Sequence, residues 1–254
     1  RMEADFATLV REQPDPAWQF DELIIDEGQD FTEPWRDALL ALLKPAGRAW
    51  WQEDPLQNLY DRPPVALPGW VGLSADTNYR TPADVLALLN ARLPLPAPVR
   101  AGSPVTDSEP EIFAWRDEAG LMDATKRAIT RALGLGFRRD AIVLLTFRGR
   151  EHSRFTPLDH LGPHRLRAFT GRYDLLGEPE HSQGELLIDS VYRFKGQSAP
   201  CILFTEIDFE TTGGRMDELT MRKLFVGATR ATMKLILVAS ERAAAALAPV
   251  AEAG

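Results

Sequence analysis

Two adjacent carboxylates at the end of a short apolar run are the residues of this chain best suited to chemistry. The run 23–25 (Leu-Ile-Ile) leads directly into Asp26 and Glu27, and the segment 28–30 (Gly-Gln-Asp) follows. A strand that delivers Asp-Glu to its carboxyl end can hold Mg²⁺ and orient a water molecule for attack on a phosphoryl group. A strand that ends in a solvated acidic turn is the alternative, and this short motif alone does not separate the two.

Polar side chains also lie next to other predicted strands. Parallel α/β domains carry their chemistry at the carboxyl ends of strands, so these residues are candidates for one site. An amide can contact a phosphate, an aromatic ring can stack on a base, and guanidinium groups suit the spread charge of a phosphoryl group. In chain order the candidates are Asp54, Gln57, Tyr60, Arg80, Ser190, Tyr192, Lys195, Gly196 and Arg230.

The elements that must position these residues follow from apolar periodicity and from helix-start and helix-stop signals. Thr81 is the predicted N-cap of one helix, with Pro82 in its first turn. We predict strands at 20–25, 48–52, 71–73, 112–115, 141–146, from 186, at 201–204 and at 235–239, and helices at 5–11, 34–43, 82–93, 118–133, 218–226 and 242–248. The segment 147–183 is predicted to be irregular, and the proline-rich run 62–69 to be a linker. Because strands alternate with helices, we expect a parallel sheet covered by helices on both faces.

Composition narrows the class of protein. The 254 residues are 44% hydrophobic and carry a net charge of −8, which argues against a surface devoted to coating nucleic acid. No apolar run approaches the roughly 20 residues of a membrane helix. The single cysteine, Cys201, lies in an apolar run and is predicted to be a buried core residue, as suits a reducing cytoplasm. Basic clusters at 138–139, 148–154 and 165–172, and the histidines His152, His160 and His164, are interpreted as solvated loops.

The motifs together resemble those of the superfamily 1 helicases of the UvrD/Rep type, from about residue 20 to about residue 239. The similar segments are 23–30 (second motif, the Walker B box), 54–60 (third), 73–80 (fourth), 190–196 (fifth) and 218–231 (sixth). This resemblance implies an α/β RecA-like P-loop NTPase fold with a parallel sheet flanked by helices. It implies that residues 1–68 are the C-terminal part of a first RecA-like lobe and that 69–254 form a complete second lobe.

The same resemblance implies an ATP-dependent DNA helicase or translocase that uses ATP and Mg²⁺ and moves on single-stranded DNA, or RNA. Asp26 and Glu27 would hold Mg²⁺, with Glu27 as general base. Gln57, Arg80 and Arg230 would contact the γ-phosphate. The remaining implied roles are nucleotide binding for Lys195 and Gly196, and contact with the single strand for Tyr60, Ser190, Tyr192 and Lys195.

One expected motif is missing, since the sequence contains no Gly-x-x-x-x-Gly-Lys-Ser/Thr phosphate-binding loop. The resemblance therefore implies that this chain is the C-terminal portion of a longer protein, that the missing N-terminal half is its partner, and that the chain alone is inactive. The fifth motif has Tyr192 and Ser198 where the family has His and Glu. Two alternatives stay open: a non-catalytic helicase-like module that binds nucleic acid, and the ATPase part of an effector linked to a nuclease-related N-terminal domain.

Overall fold

The computed structural model describes residues 19–213 and 215–248. The chain divides into two compact units, one up to Ser74 and one from Ala75 onward. The helix predicted for residues 5–11 lies outside the described residues. Within the described ranges, no helix combines the length and the apolar character that a membrane span requires.

The first unit contains a two-stranded parallel sheet of β1 (Phe20–Ile25) and β2 (Leu43–Trp51), joined through helix α1 (Glu33–Leu40). A 3₁₀ turn over Gly28–Asp30 follows β1, and another over Pro55–Gln57 follows β2. The strand predicted for 48–52 is confirmed, but β2 begins earlier, at a proline-containing stretch. The register shifts between Phe20 and Glu22, and such an irregularity lets a strand accommodate a proline.

The segment between Asp61 and Asp76 contains no helix or strand. The strand predicted for 71–73 is therefore wrong: Val71 and Leu73 are 88% and 87% exposed and pair with no neighbouring strand. A segment of three residues with apolar side chains at both ends does not form a strand when no neighbouring strand supplies backbone hydrogen bonds. The proline-rich run contacts α1, because Glu33 Oε1 accepts a hydrogen bond from the backbone N–H of Ala66 at 3.3 Å.

The second unit is built on a large, mostly parallel sheet. Its elements are β3 (Thr77–Asn78), α2 (Ala83–Arg92), β4 (Arg100–Ala101), β5 (Glu111–Trp115), α3 (Glu118–Gly134), β6 (Ile142–Thr146), β7 (His160–Leu161), β8 (His164–Tyr173), β9 (Pro179–His181), β10 (Leu186–Ser190), β11 (Ala199–Ile207), α4 (Glu218–Ala228), β12 (Ala231–Ser240) and α5 (Glu241–Leu247). The described part of the sheet has eight strands in the order β5-β12-β11-β6-β10-β8-β7, in which β9 also pairs with β8. All neighbours from β5 to β8 are parallel, which confirms the predicted α/β class.

Helices cover both faces of this sheet. On one face, Leu121 and Ile129 of α3 join a fully buried cluster with Leu144, Leu203 and other alternate strand residues. Successive strand residues point to opposite faces, so Phe204 lies on the other face, where α4 packs. A Cβ atom at Gly227 of α4 would lie only 2.2 Å from the Phe204 ring. Glycine is therefore what lets the helix approach the sheet so closely.

The segment 147–183 is not irregular, so that prediction is wrong. It contains β7, β8 and β9, of which β7 and β9 run antiparallel to β8. In β8, His164 and Leu166 are buried while Arg165 and Arg167 are exposed. This alternation with a period of two residues is the normal signature of a half-buried strand, and it is visible in the sequence. His164 is therefore a buried strand residue rather than a solvated loop histidine, and burial lowers its pKa.

Candidate functional site

The Asp26–Glu27 pair lies directly after the buried end of β1. Ile25 is 6% exposed, and the backbone then turns at Glu27, which has a left-handed φ of 54°. Such a conformation at a residue other than glycine costs on the order of 1–3 kcal/mol and concentrates at functional positions. The backbone N–H of Gly28 donates to the Gln52 carbonyl at 2.7 Å, which fixes the turn against the end of β2.

A series of side-chain hydrogen bonds joins this turn to the segment after β2. Gln29 is 6% exposed; its amide nitrogen donates to Glu27 Oε2 at 2.5 Å, and its amide oxygen accepts from the Asp54 backbone N–H at 2.9 Å. Asp54 in turn accepts from Gln57 Nε2 at 2.9 Å. The second and third motifs are therefore linked in the order Glu27, Gln29, Asp54, Gln57. Sequence reasoning gave Gln29 no role, although an amide two residues after the acidic pair can donate and accept at once.

Tyr60 lies in the loop beyond the 3₁₀ turn, and its side chain is 55% exposed. The loop is closed by Asn58, whose side chain donates to the Arg62 carbonyl at 2.7 Å and accepts from the Arg62 backbone N–H at 3.0 Å. The tyrosine ring is thus accessible on an ordered loop. Its contact with a single strand stays a prediction.

In the second unit, Thr81, which directly follows Arg80, contacts Thr229, which directly precedes Arg230. The Thr81 hydroxyl donates to the carbonyl of Thr229 at 3.2 Å, and Thr81 is fully buried. The N-cap residue of α2 is consequently Pro82 and not Thr81. The prediction of a threonine cap is wrong because this hydroxyl binds a distant carbonyl instead of the first turn of the helix.

Arg230 is only 1% exposed, so it is not a surface residue at the end of a helix. Its Nε donates to the Val226 carbonyl at 3.0 Å, and its Nη1 donates to the Gln197 carbonyl at 3.3 Å. The backbone carbonyl of Arg230 accepts from the Ala199 N–H at 3.0 Å. The structure thus joins the fifth and sixth motifs through this guanidinium group, while its contact with a γ-phosphate stays a prediction.

The fifth motif forms a turn after β10. Ser190 is 2% exposed and its backbone N–H donates to Asp189 Oδ1 at 2.8 Å, whereas Tyr192 and Lys195 are partly buried. Gly196 has a φ of +80°, a conformation that glycine adopts without a Cβ penalty. Burial raises the pKa of Asp189, although its hydrogen bond and the nearby Arg193 guanidinium oppose this shift.

The predicted site residues therefore form two groups. In the first unit the structure brings together Glu27 and Gln57 through Gln29 and Asp54, with Asp26 adjacent. In the second unit it brings together the positions around Arg80, Arg230 and the turn that holds Ser190, Tyr192, Lys195 and Gly196. Cys201 is fully buried, as predicted, and burial raises the pKa of its thiol to about 12.

Comparison with known protein families agrees with the fifth and sixth motifs. Residues 185–238 match the family model of the UvrD-like helicase C-terminal domain. This match confirms the resemblance to the C-terminal portion of UvrD/Rep-type helicases, and it indicates a helicase-related function for this part of the chain. No curated protein matches the chain.

Among solved structures, the chain is similar to the C-terminal domain of a possible DNA helicase from Lactobacillus plantarum WCFS1. The two share 13% sequence identity, and the match covers 69% of this chain and 95% of that one, with a TM-score of 0.45.

Proposed function

We propose that this chain is part of an ATP-dependent DNA helicase or translocase, in which ATP hydrolysis drives movement on single-stranded DNA. In this proposal the first unit belongs to one RecA-like lobe and the second unit is the other lobe. Asp26 and Glu27 hold the Mg²⁺ of bound ATP, and Glu27 accepts the proton of the attacking water. Gln57, Arg80 and Arg230 contact the γ-phosphate, and Lys195 and Gly196 contact the nucleotide.

The hydrogen-bonded series from Glu27 through Gln29 and Asp54 to Gln57 is the observation that best supports a catalytic role. A module that only binds nucleic acid does not need the Glu27 carboxylate to be linked by hydrogen bonds to the Gln57 amide, which lies beyond β2. In a motor, such a link lets the state of the phosphate at Gln57 alter the position of the general base. The altered fifth motif, with Tyr192 and Ser198, is what favours the non-catalytic module as the second candidate.

The exposed face of the small sheet supports a further partner. Ile24 is 68% exposed, and Phe20 and Trp50 are each 49% exposed, although all three lie in parallel strands. Parallel sheets are normally covered on both faces. We propose that this face packs against helices of the part of the protein that supplies the phosphate-binding loop, because helices cover the faces of parallel sheets.

The proposal predicts that Glu27→Gln abolishes ATP turnover in the protein that joins this chain to its phosphate-binding loop. Glutamine keeps the size of the side chain and its contact with Gln29 but cannot accept the proton of the water. Loss of a general base lowers the rate by about 10²–10⁴-fold. The measurement is ATPase activity with and without single-stranded DNA, alongside ATP binding, which should be retained.

Asp21→Asn provides the matched control. Asp21 lies on β1, the strand that precedes the acidic pair, and is largely exposed. Its only ion-pair partner among the described residues is the exposed Lys44, at 2.9 Å, and exposed pairs contribute little stability. Its turnover should equal that of the parent. Equal turnover in Glu27→Gln and the parent would remove the general-base role and favour the non-catalytic module.

A further inference from the structure

Two guanidinium groups from different loops stack on one aromatic ring. The Arg193 guanidinium lies 3.6 Å from the centre of the Phe169 ring, and that of Arg150 lies 5.1 Å from the same centre. Arg150 follows β6 and Arg193 follows β10, and these strands are parallel neighbours. Their carboxyl ends therefore meet at one edge of the sheet, where ligands of parallel α/β sheets bind.

The loop that carries Arg150 is fixed by hydrogen bonds to the side chains of Thr146, Thr156 and Glu206, of which Thr146 and Glu206 are fully buried. The Thr146 hydroxyl donates to the Arg148 carbonyl at 2.7 Å, and the Thr156 hydroxyl donates to the Arg150 carbonyl at 2.8 Å. The Glu206 carboxylate, fully buried in β11, accepts from the Arg154 backbone N–H at 2.7 Å. The position of Arg150 is thus determined by the sheet, and the basic segment 148–154 is not a merely solvated loop.

Basic side chains gather at this edge. Within the described ranges Arg150 has no ion pair and contacts the Phe169 ring and carbonyl, whereas Arg193 Nε is 3.4 Å from the Asp189 carboxylate. Arg148 lies near Asp208, whose carboxyl pKa is lowered by Arg242 and also by Arg148. Lys223 lies nearby in the same unit, above the rings of Phe147 and Tyr192 at 5.0 and 5.3 Å. In a chain with a net charge of −8, such a local excess of cations is suited to an anionic ligand.

An exposed aromatic ring lies beside the stacked arginines. Tyr173 is 58% exposed, and its ring meets the Phe169 ring edge-on, with centroids 5.3 Å apart. A guanidinium group that rests on a ring keeps its N–H donors directed outward, and Arg150 uses one of them on the Phe169 carbonyl at 3.0 Å. Cations next to an accessible aromatic ring are the combination that binds single strands, through phosphates and stacked bases respectively.

We propose that Arg150 and Arg193, held by Phe169, bind phosphates of single-stranded DNA, and that Tyr173 stacks on one of its bases. This inference rests on the proposed function and adds residues that bind the strand. Arg150 and Tyr173 lie outside the helicase-like motifs, and Arg193 lies within the fifth motif at a position with no assigned role. The strand would pass from the turn of the fifth motif, at Tyr192, toward the β8–β9 hairpin.

The test is binding of a fluorescein-labelled oligothymidine to the full chain, measured by fluorescence anisotropy over a series of salt concentrations. Arg150→Ala and Arg193→Ala should each weaken binding several-fold and each reduce the slope of log affinity against log salt by about 0.7, the value for one phosphate on a single strand. Tyr173→Ala should weaken binding by roughly 5-fold or more, as expected for a lost stacking contact, with the salt slope unchanged.

The matched control is Arg127→Ala, because Arg127 also stacks on a ring of this sheet, at 5.7 Å from the centre of Phe113, but lies at the opposite end of the strand order. Its affinity and salt slope should equal those of the parent. Arg193→Lys provides a variant that keeps the charge, and it should retain the parental salt slope. Thermal melting of each variant separates loss of binding from loss of folding.

The outcomes separate this inference from the proposed function. If the parent binds the oligonucleotide and Arg150→Ala and Arg193→Ala bind with unchanged affinity and salt slope, the arginine assignment is wrong while the helicase proposal stands. If binding weakens but the salt slope does not change, the stacked arginines only support the fold, and the assignment is again wrong. If the parent does not bind at all, both proposals fail at the nucleic-acid step.

Discussion

At the scale of single residues, the chemistry depends on partners that lie far apart in the chain. Glu27 is oriented by Gln29, which also binds the backbone of Asp54, 25 residues further along. Arg230 is held by carbonyls of Val226 and Gln197. In both cases a charged group has its position fixed by neutral amide or carbonyl groups. These contacts orient the side chain, and a fixed orientation is what a group that acts on phosphate requires.

Glu206 leads to a prediction about pH. Its side chain is fully buried at a left-handed φ of 60°, and burial raises its pKa above the ordinary value of 4.5, although the N–H of Arg154 and the hydroxyl of Ser153 oppose this. The folded state therefore binds a proton more tightly than the unfolded state. The stability linked to this proton is fully present below about pH 4.5 and is lost as the pH rises through the raised folded pKa.

Glu206→Gln removes this titration and keeps an oxygen to accept from Arg154. We expect the free energy of unfolding of the variant, relative to the parent, to increase as the pH rises above 4.5 and then to level off. Urea denaturation of both proteins across a pH series measures this difference. A difference that stays constant over the whole series would show that Glu206 does not titrate differently in the folded protein.

At the scale of elements, close approach between a helix and the sheet sets the packing of the second unit. α4 contacts the sheet through Gly227, and the ring it faces, Phe204, is fully buried in β11. The last residue of α3, Gly134, has no atom within 4 Å of the position a Cβ would take. Only Gly227 is therefore required by a neighbouring side chain, whereas the space beside Gly134 would accommodate a Cβ atom.

These two positions give a matched pair of substitutions. Gly227→Ala should destabilise the protein by about 1–3 kcal/mol, because the new methyl group overpacks the core against Phe204. Gly134→Ala should leave stability unchanged or raise it by up to about 1 kcal/mol, since alanine favours a helix. Equilibrium denaturation measures both changes. Equal effects at the two positions would contradict the packing of α4 described here.

At the scale of the whole molecule, the two units carry different parts of the proposed machinery. The acidic pair and Gln57 belong to the first unit, whereas Arg80, Arg230 and the turn of the fifth motif belong to the second. Neither unit contains the sequence of a phosphate-binding loop, whose backbone N–H groups normally cradle the phosphates of ATP.

This leads to a prediction for the chain by itself. Isothermal titration calorimetry with ATP and Mg²⁺ should show binding weaker than micromolar, because no nest of backbone donors is available. Thermal melting of the same preparation serves as the control that the chain is folded. Micromolar affinity for ATP would mean that the residues present form a complete nucleotide site by another route.

The sequence by itself determined the class of the fold and the positions of the candidate residues. Apolar runs of strand length and helices with clear start signals are local features, so β1, β6, α3 and α4 were predicted within a few residues. The acidic pair was found for the same reason, because it directly follows a strand. The alternating pattern of β8 is equally local, so this strand is also predictable from the sequence.

Only the tertiary structure decided which of these residues meet. The link from Gln29 to Asp54, the burial of Thr81 against Thr229 and the two arginines on Phe169 all join segments that are distant in sequence. Such contacts depend on strand order and on the side of the sheet that each loop reaches, and the spacing of residues along the chain specifies neither. For the same physical reason a basic cluster at 148–154, unremarkable as a sequence, became a candidate binding surface once β6 and β10 were neighbours.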